Sequence, residues 1–492
     1  MGEGDPLSRV GKGTVLVFGG FGAGTVLQYG LKAVMARFLG PVDYGVFIQS
    51  HAVVQAVSIL SLVGLHMSVP RFMSYYRGGP GERDSVLTSL AVVLPLSLAA
   101  SLALYLSADW IAAGIFGEQA VAGPLKFFAA GVPLLSLFRL LLSFIQGREN
   151  ARHKVLADNL VFPGVKFTAV TALLVLGMGV EGAVIGHLAG MAVALLTALY
   201  FYRRISGFDL GSASLSVGRL LKFSWPLSVL SFLLMTFEWA DVLMLGWLLD
   251  SARVGVYEVA FTVSGFLGLF LTALNYMFLP VASDLRSQDR IGEVRRLYRT
   301  SSRWIFMAAL PVAAGMMLFP GEILELFFGQ QYRAGATALA VLSSGYLFHA
   351  VAGPSAMVML SAGKTKRLAA AMSVVTALNV ALDLFLIPAY GIEGAAVAMT
   401  AGLLAGNTTL LLMAKKDTGI LPVDRTYIRP LISIAVPASA AVLVDRVAGL
   451  SPIGTAVLGG ATFLCYTLML WISGSLREEE RELIEQATGI SL

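Results

Sequence analysis

The sequence predicts an all-α integral membrane protein of about 14 transmembrane helices, arranged as two pseudo-symmetric six-helix bundles followed by two C-terminal helices. Three observations carry this prediction. The chain of 492 residues is 57% hydrophobic and only 13% charged, with a mean hydropathy of +0.78; soluble proteins carry about 25% charged residues. Lys and Arg cluster in alternate connections between the apolar runs. Sequence landmarks recur at an offset near 210 residues.

A bilayer core about 30 Å thick requires a helix of about 20 apolar residues. Runs of that kind lie near 13–38, 45–76, 85–107, 120–146, 155–177 and 182–202. A second set lies near 221–248, 255–282, 301–319, 334–361, 368–387 and 392–414, and a last pair at 428–446 and 453–473. Short connections rich in Gly, Pro and charge separate them. "FLGPVDYGVF" (38–47) reads as the outer turn between the first two spans. Pro95, Pro133, Pro163, Pro311, Pro354 and Pro437 fall inside spans, where neighbouring helices can satisfy the backbone groups that proline frees. The opening "MGEGDPLSRVGKG" has acidic residues before basic ones and no cleavage pattern, unlike a secretory signal. The one cysteine, Cys465, excludes an intrachain disulfide and reads as a small apolar helix residue.

With the N-terminus inside, 27 of the 35 Lys and Arg fall in inner segments and five in outer ones. The positive-inside rule then places both termini in the cytoplasm and supports the span count. The repeat aligns "FLGPVDYGVF" with "LLDSARVGVY" (248–257), so that Gly45 falls on Gly255, Lys12 on Lys222 and Pro70 on Pro280. "GVEGAVIGHLAG" (179–190) matches "GIEGAAVAMTAG" (391–402) at six of twelve positions. The resulting division is an N-terminal six-helix lobe at 1–210, a repeated lobe at 211–417, helices thirteen and fourteen at 418–474, and a cytoplasmic amphipathic tail at 475–492. Six spans are even in number, so the lobes share one orientation, related by an axis along the membrane normal.

Catalytic signals are thin. "GGFGAG" (19–24) fails the dinucleotide-loop pattern and lies in a spanning run. Gly20 and Gly24, Gly186 and Gly190, and Gly402 and Gly406 instead form GxxxG pairs that let helices approach. His and Cys are too few and scattered for a metal site, and His187 and His349 read as satisfied core histidines. No loop is long enough for a catalytic domain, so an enzyme is not expected, and neither a cofactor nor a nucleic-acid partner is indicated.

The informative residues are charges within spans. Lys32, Arg139 and Lys166 remain after the loop tally. Snorkelling to an interface accounts equally well for Lys32 and Arg139. Lys166 is mid-helix, where a lone ammonium costs roughly 3 kcal/mol on insertion scales; it faces either water or a partner, and Asp158, eight residues earlier, is a candidate partner. Glu238 and Asp241 share a face of helix seven, and Asp383 lies in helix eleven. Two carboxylates that close in low dielectric resist joint ionisation and can hold a proton or a cation. A first lobe richer in buried cations and a second richer in acids is the layout of a transporter with a wet cavity.

"LGPVDYGVF", "VPRFMSYYR" (69–77), the stretch from "LLKFSWPL" to "VYEVA" (220–260) and "YGIEGAAVAMT" (390–400) together resemble the polysaccharide and O-antigen flippases of the multidrug/oligosaccharidyl-lipid/polysaccharide exporter superfamily. The resemblance covers nearly the whole chain. It implies two six-helix lobes around a cavity that opens alternately to each side, helices thirteen and fourteen flanking a groove for a lipid tail, and translocation of a polyprenyl-pyrophosphate-linked oligosaccharide across the cytoplasmic membrane of a bacterium or archaeon. Cationic cavity residues then meet the pyrophosphate; Lys32, Arg139 and Lys166 are the candidates, with Arg37 and Arg71 at helix ends behind them. Glu238, Asp241, Asp383 and Asp158 are the candidates for coupling to H⁺ or Na⁺. Membrane lipid, the lipid-linked sugar, and a glycan polymerase or glycosyltransferases are the implied partners. A cation-coupled multidrug exporter of the same superfamily is the alternative.

Overall fold

The computed structural model describes residues 6–76, 80–206 and 217–473. The proposed tail at 475–492 and most of the inter-lobe linker lie outside them. Among the described residues there is no strand. Two compact units divide at Glu258.

The first unit holds α1 (Pro6–Leu62), α2 (Leu65–Tyr75), α3 (Pro80–Trp110), α4 (Ala122–Ala129), α5 (Gly131–Gly147), α6 (Ala151–Val155), α7 (Phe162–Val175), α8 (Gly179–Ser206), α9 (Val217–Leu248) and the first turns of α10 (Ser251–Ser287). The second holds the rest of α10, then α11 (Ile291–Leu318), α12 (Pro320–Phe328), α13 (Ala336–Ala352), α14 (Ser355–Ser361), α15 (Thr365–Thr418), α16 (Ile428–Ala448) and α17 (Pro452–Ile472). Division by contact thus falls after helix seven rather than at residue 210.

Among the described residues, eleven helical segments are long and apolar enough to cross a membrane, or twelve if the bent pair α4–α5 is one span. The chain is a multi-pass membrane protein. Its packing agrees: large apolar side chains such as Leu106, Leu176 and Phe385 stand exposed, while Ser58, Ser68, Ser89, Ser136 and Ser224 are buried. Lipid offers no partner, and four of these hydroxyls find one in the protein: Ser68 and Ser224 bond each other at 2.7 Å, and Ser89 and Ser136 donate to the backbone carbonyls of Ser85 and Ser58.

The turn expected over 38–47 is far tighter than a loop. Gly40 alone leaves the helix in α1, at φ 72 and ψ 175, a region essentially closed to other residues, and Pro41 starts the next helical segment. Further on, Gly45 and Gly255 pack against each other's helices. A Cβ on Gly45 would lie 1.7 Å from the Ser251 carbonyl oxygen, and one on Gly255 would lie 2.2 Å from that of Pro41. The two glycines that the sequence aligns meet at one crossing. Gly179 and Gly391, also aligned, both take positive φ at helix starts, 56 and 62.

The prolines act as their chemistry requires. Pro133 cannot donate to the Ala129 carbonyl, and the chain bends 45° between α4 and α5. The Ser101 hydroxyl of α3 donates to that carbonyl at 2.7 Å. Pro311 frees the Met307 carbonyl, which accepts from Tyr466 of α17 at 3.0 Å. The sequence did not foresee α12, an additional short helix between the ninth and tenth spans.

Candidate functional site: a cationic cluster beside a polar cavity

Glycine places the site residues. α7 and α8 pack along each other, and a Cβ on Gly190 would lie 2.9 Å from the Cβ of Lys166. The backbone that carries Lys166 is therefore seated on α8. Gly24 sits where a Cβ would lie 2.2 Å from the Asn159 carbonyl oxygen, the carbonyl that Pro163 leaves without its helical donor. Leu156–Val161 form a π-helical turn there, a distortion often found at functional sites. GxxxG pairs thus serve close packing as expected, and that packing sets the height of Asp158 and Lys166.

Lys32 of α1 donates to the Glu258 carboxylate of α10 at 2.8 Å. Arg139 of α5 donates through Nη2 to Gln55 Oε1 at 2.7 Å, while its Nη1 is buried with no hydrogen-bond partner. Gln55 also meets His51, Nε2 to Nε2, at 3.2 Å, so an amide links the guanidinium to an imidazole. The Lys166 ammonium lies 5.0 Å from the centre of the Phe162 ring, a cation–π contact. It forms no ion pair among the described residues. The expected Asp158–Lys166 pair is not made. The π-helical turn at Leu156–Val161, which contains Asp158, breaks the regular α-helical register on which it depended.

Rings surround this cluster. His51 lies 4.8 Å from His187, 5.2 Å from Trp239 and 5.8 Å from Phe128, centroid to centroid. His349 accords with the expected satisfied histidine, bonded to Asn407 at 2.8 Å. His187 does not: its Nε2 is buried without a hydrogen-bond partner.

A cavity of about 300 Å³ adjoins the cluster, and Arg139, Lys154, Asp158, Glu238, Trp239 and His66 are among its walls. Lys154 donates to Gln146 at 2.7 Å. The carboxylates of helix seven have different surroundings. Glu238 is exposed to the cavity, whereas Asp241 is buried and accepts a hydrogen bond from Tyr257. Arg37 is exposed at the end of the first span, and Arg71 is exposed with its guanidinium 5.6 Å from the Phe223 ring; neither lines the cavity. Asp383 belongs to the second unit, fully buried in α15.

The first unit thus holds Lys32, Arg139, Lys166, Asp158 and Glu238; Arg139, Asp158 and Glu238 line the cavity, and Lys32 and Lys166 do not. Glu258, Gln55, His51 and Trp239 were missed. Glu258 was hidden because it lies near an assigned helix start, where an acid reads as interfacial. In the second unit the contact made by Gly190 is repeated by Gly402, against Asn379. A neutral amide therefore stands where the first unit has Lys166.

The polysaccharide biosynthesis protein family model matches residues 34–338. A probable flippase of Haloferax volcanii, AglR, is 26% identical over 98% of this chain and 100% of its own length. Among solved structures, the lipid II flippase MurJ in an inward closed conformation superposes with a TM-score of 0.73 at 14% identity, covering 93% of this chain and 99% of the other. An inward-facing multidrug resistance MATE family transporter of the MOP superfamily gives a TM-score of 0.68 at 16% identity, over 80% of this chain and 94% of its own. At these identities the two structures speak for the fold, the all-α multi-span architecture expected from the sequence.

Proposed function

Because the chain belongs to the polysaccharide biosynthesis protein family, we propose that it is a flippase that carries a polyprenyl-pyrophosphate-linked oligosaccharide across the cytoplasmic membrane by alternating access, without covalent chemistry. The observation that carries this reading is an excess of unmet positive charge. Lys166 has no carboxylate partner, and one buried Arg139 donor has no acceptor. A buried donor left unmade costs about 1–3 kcal/mol, which a bound pyrophosphate would offset, since its oxygens are strong acceptors for Lys and Arg. The name of the Haloferax relative supports it.

In this reading each helix broken at a glycine, Gly40 in α1 and Gly391 in α15, is two spans, and the bent α4–α5 pair is one; the spans then number fourteen. Both termini are cytoplasmic, and the cavity wall includes Lys154, on the inner segment that also carries Arg148 and Arg152. Glu238, open to the cavity, is the first candidate for H⁺ or Na⁺ coupling, with Asp158, Asp241 and Asp383 after it. Glycosyltransferases or a glycan polymerase supply and consume the substrate.

Reconstituted protein should translocate a polyprenyl-pyrophosphate oligosaccharide in proteoliposomes. The Lys166→Ala variant should be folded and transport less than a tenth as fast; unchanged transport removes Lys166 from the site. The acids on the cavity wall favour a second reading, a multidrug exporter of cations. Uptake of cationic dyes at rates unaffected by Lys166→Ala would establish it instead.

A further inference from the structure

Glu258 has a role that the charge count around it reveals. Its carboxylate is almost wholly buried, 4% exposed, while the Lys32 side chain that it holds is 38% exposed. The acid is part of the packed interior, while part of the Lys32 side chain remains exposed. Lys166, Lys32 and Arg139 share one neighbourhood, and Glu238 lies in electrostatic reach of Lys32, Arg139 and Glu258. A diphosphate arriving there must compete with a carboxylate already seated on Lys32. We propose that Glu258 is a built-in counter-ion that takes the phosphate's place on Lys32 between transport cycles, and so sets both the affinity for the anionic headgroup and its release. The proposal rests on the flippase reading above.

The physical basis is competition. An ammonium with a vacant acceptor site in low dielectric would bind a diphosphate tightly and give it up slowly. A carboxylate 2.8 Å away offers the same charge-assisted hydrogen bond, so Lys32 passes from one anion to another without being stripped bare. Because only molecules with Lys32 released can bind fully, the apparent affinity falls by the fraction so released. If Glu258 holds Lys32 in about nine molecules of ten, that cost is about tenfold. The same contact spans α1 and the first turns of α10, on the helix that carries the Gly45–Gly255 crossing. Its exchange therefore couples headgroup binding to the seating of α10. Glu258 is a positioning residue, acting through Lys32.

The test uses the full chain in nanodiscs for binding and in proteoliposomes for transport, with undecaprenyl pyrophosphate and inorganic pyrophosphate as binding probes. Glu258→Gln keeps the shape and an acceptor but removes the charge. It should bind both probes about tenfold more tightly, with KM for the lipid-linked oligosaccharide falling and turnover falling together. Glu258→Asp, which retains the charge, should return both toward wild type. In Lys32→Gln/Glu258→Gln, where neither charge is buried alone, the gain in affinity should vanish. Affinity equal to or weaker than wild type in Glu258→Gln overturns the proposal, as does lost turnover at unchanged KM or an undiminished gain in the double variant. If the wild-type protein binds neither probe, the flippase reading itself fails; if it binds both and Glu258→Gln does not tighten them, only the role of Glu258 fails.

Discussion

Asp241 and Glu238 show how three residues of helix separate two chemistries. The pair shares a face in sequence, yet Asp241 is buried under the Tyr257 hydroxyl while Glu238 opens on the cavity. Tyr257→Phe removes a donor from a buried carboxylate, which costs about 1–3 kcal/mol; the melting temperature should fall, with headgroup affinity unchanged. Arg139 is equally particular. Its planar fork reaches Gln55 with one nitrogen and leaves a second buried nitrogen without an acceptor, a geometry that a lysine point charge cannot copy. Arg139→Lys should therefore weaken undecaprenyl pyrophosphate binding about tenfold, read by equilibrium titration, despite conserving charge. Sequence spacing identified Arg139, Lys166 and Glu238 because charge inside an apolar run is conspicuous. It could not identify Gln55 or Trp239, since an amide or an indole in such a run is common, and the Arg139 that Gln55 meets and the His51 that Trp239 meets lie on other helices.

Helices here are fitted to one another at glycine and proline. Gly45 allows an approach that any side chain would prevent, 1.7 Å from a built Cβ to the Ser251 carbonyl oxygen. Nearby, the Ser251 backbone N–H donates to Glu118 at 2.9 Å and its hydroxyl to Gln49 at 3.0 Å. Gly45→Ala should force the crossing apart at a cost of about 1–3 kcal/mol, as overpacking does, and lower the melting temperature more than Gly22→Ala, where a Cβ meets nothing within 4 Å. Gly40→Ala should also destabilise, by about 1–3 kcal/mol from backbone strain at φ 72, although it removes no contact. At Pro133 the cost is offset by Ser101, and Ser101→Ala should reduce stability by about 1 kcal/mol. Each proline was legible in the sequence as a break in hydrogen bonding. Which neighbour repaired the break was not, because the donor lies on another helix at an unrelated sequence distance.

For the molecule as a whole, the cation tally makes a prediction independent of any site. In a Cys465→Ser background, Gln331→Cys should react with a membrane-impermeant maleimide in intact cells. Gln288→Cys should react only after permeabilisation. Both positions are exposed, so the contrast reads topology rather than burial. The reverse pattern would invert the orientation proposed from charge.

What the sequence by itself determined was the membrane class, the helical architecture, the approximate spans and the cations that have no place in lipid. These are properties of local composition and charge, because a bilayer penalises each polar group in each span separately. Tertiary structure decided the pairing of those charges. It gave Lys32 to Glu258 and left Lys166 over an aromatic ring instead of beside Asp158. It also shrank a ten-residue turn to Gly40. Such outcomes depend on which faces meet when helices pack, and a small change in helical register, such as the π turn at Leu156–Val161, redirects a side chain without any trace in hydropathy.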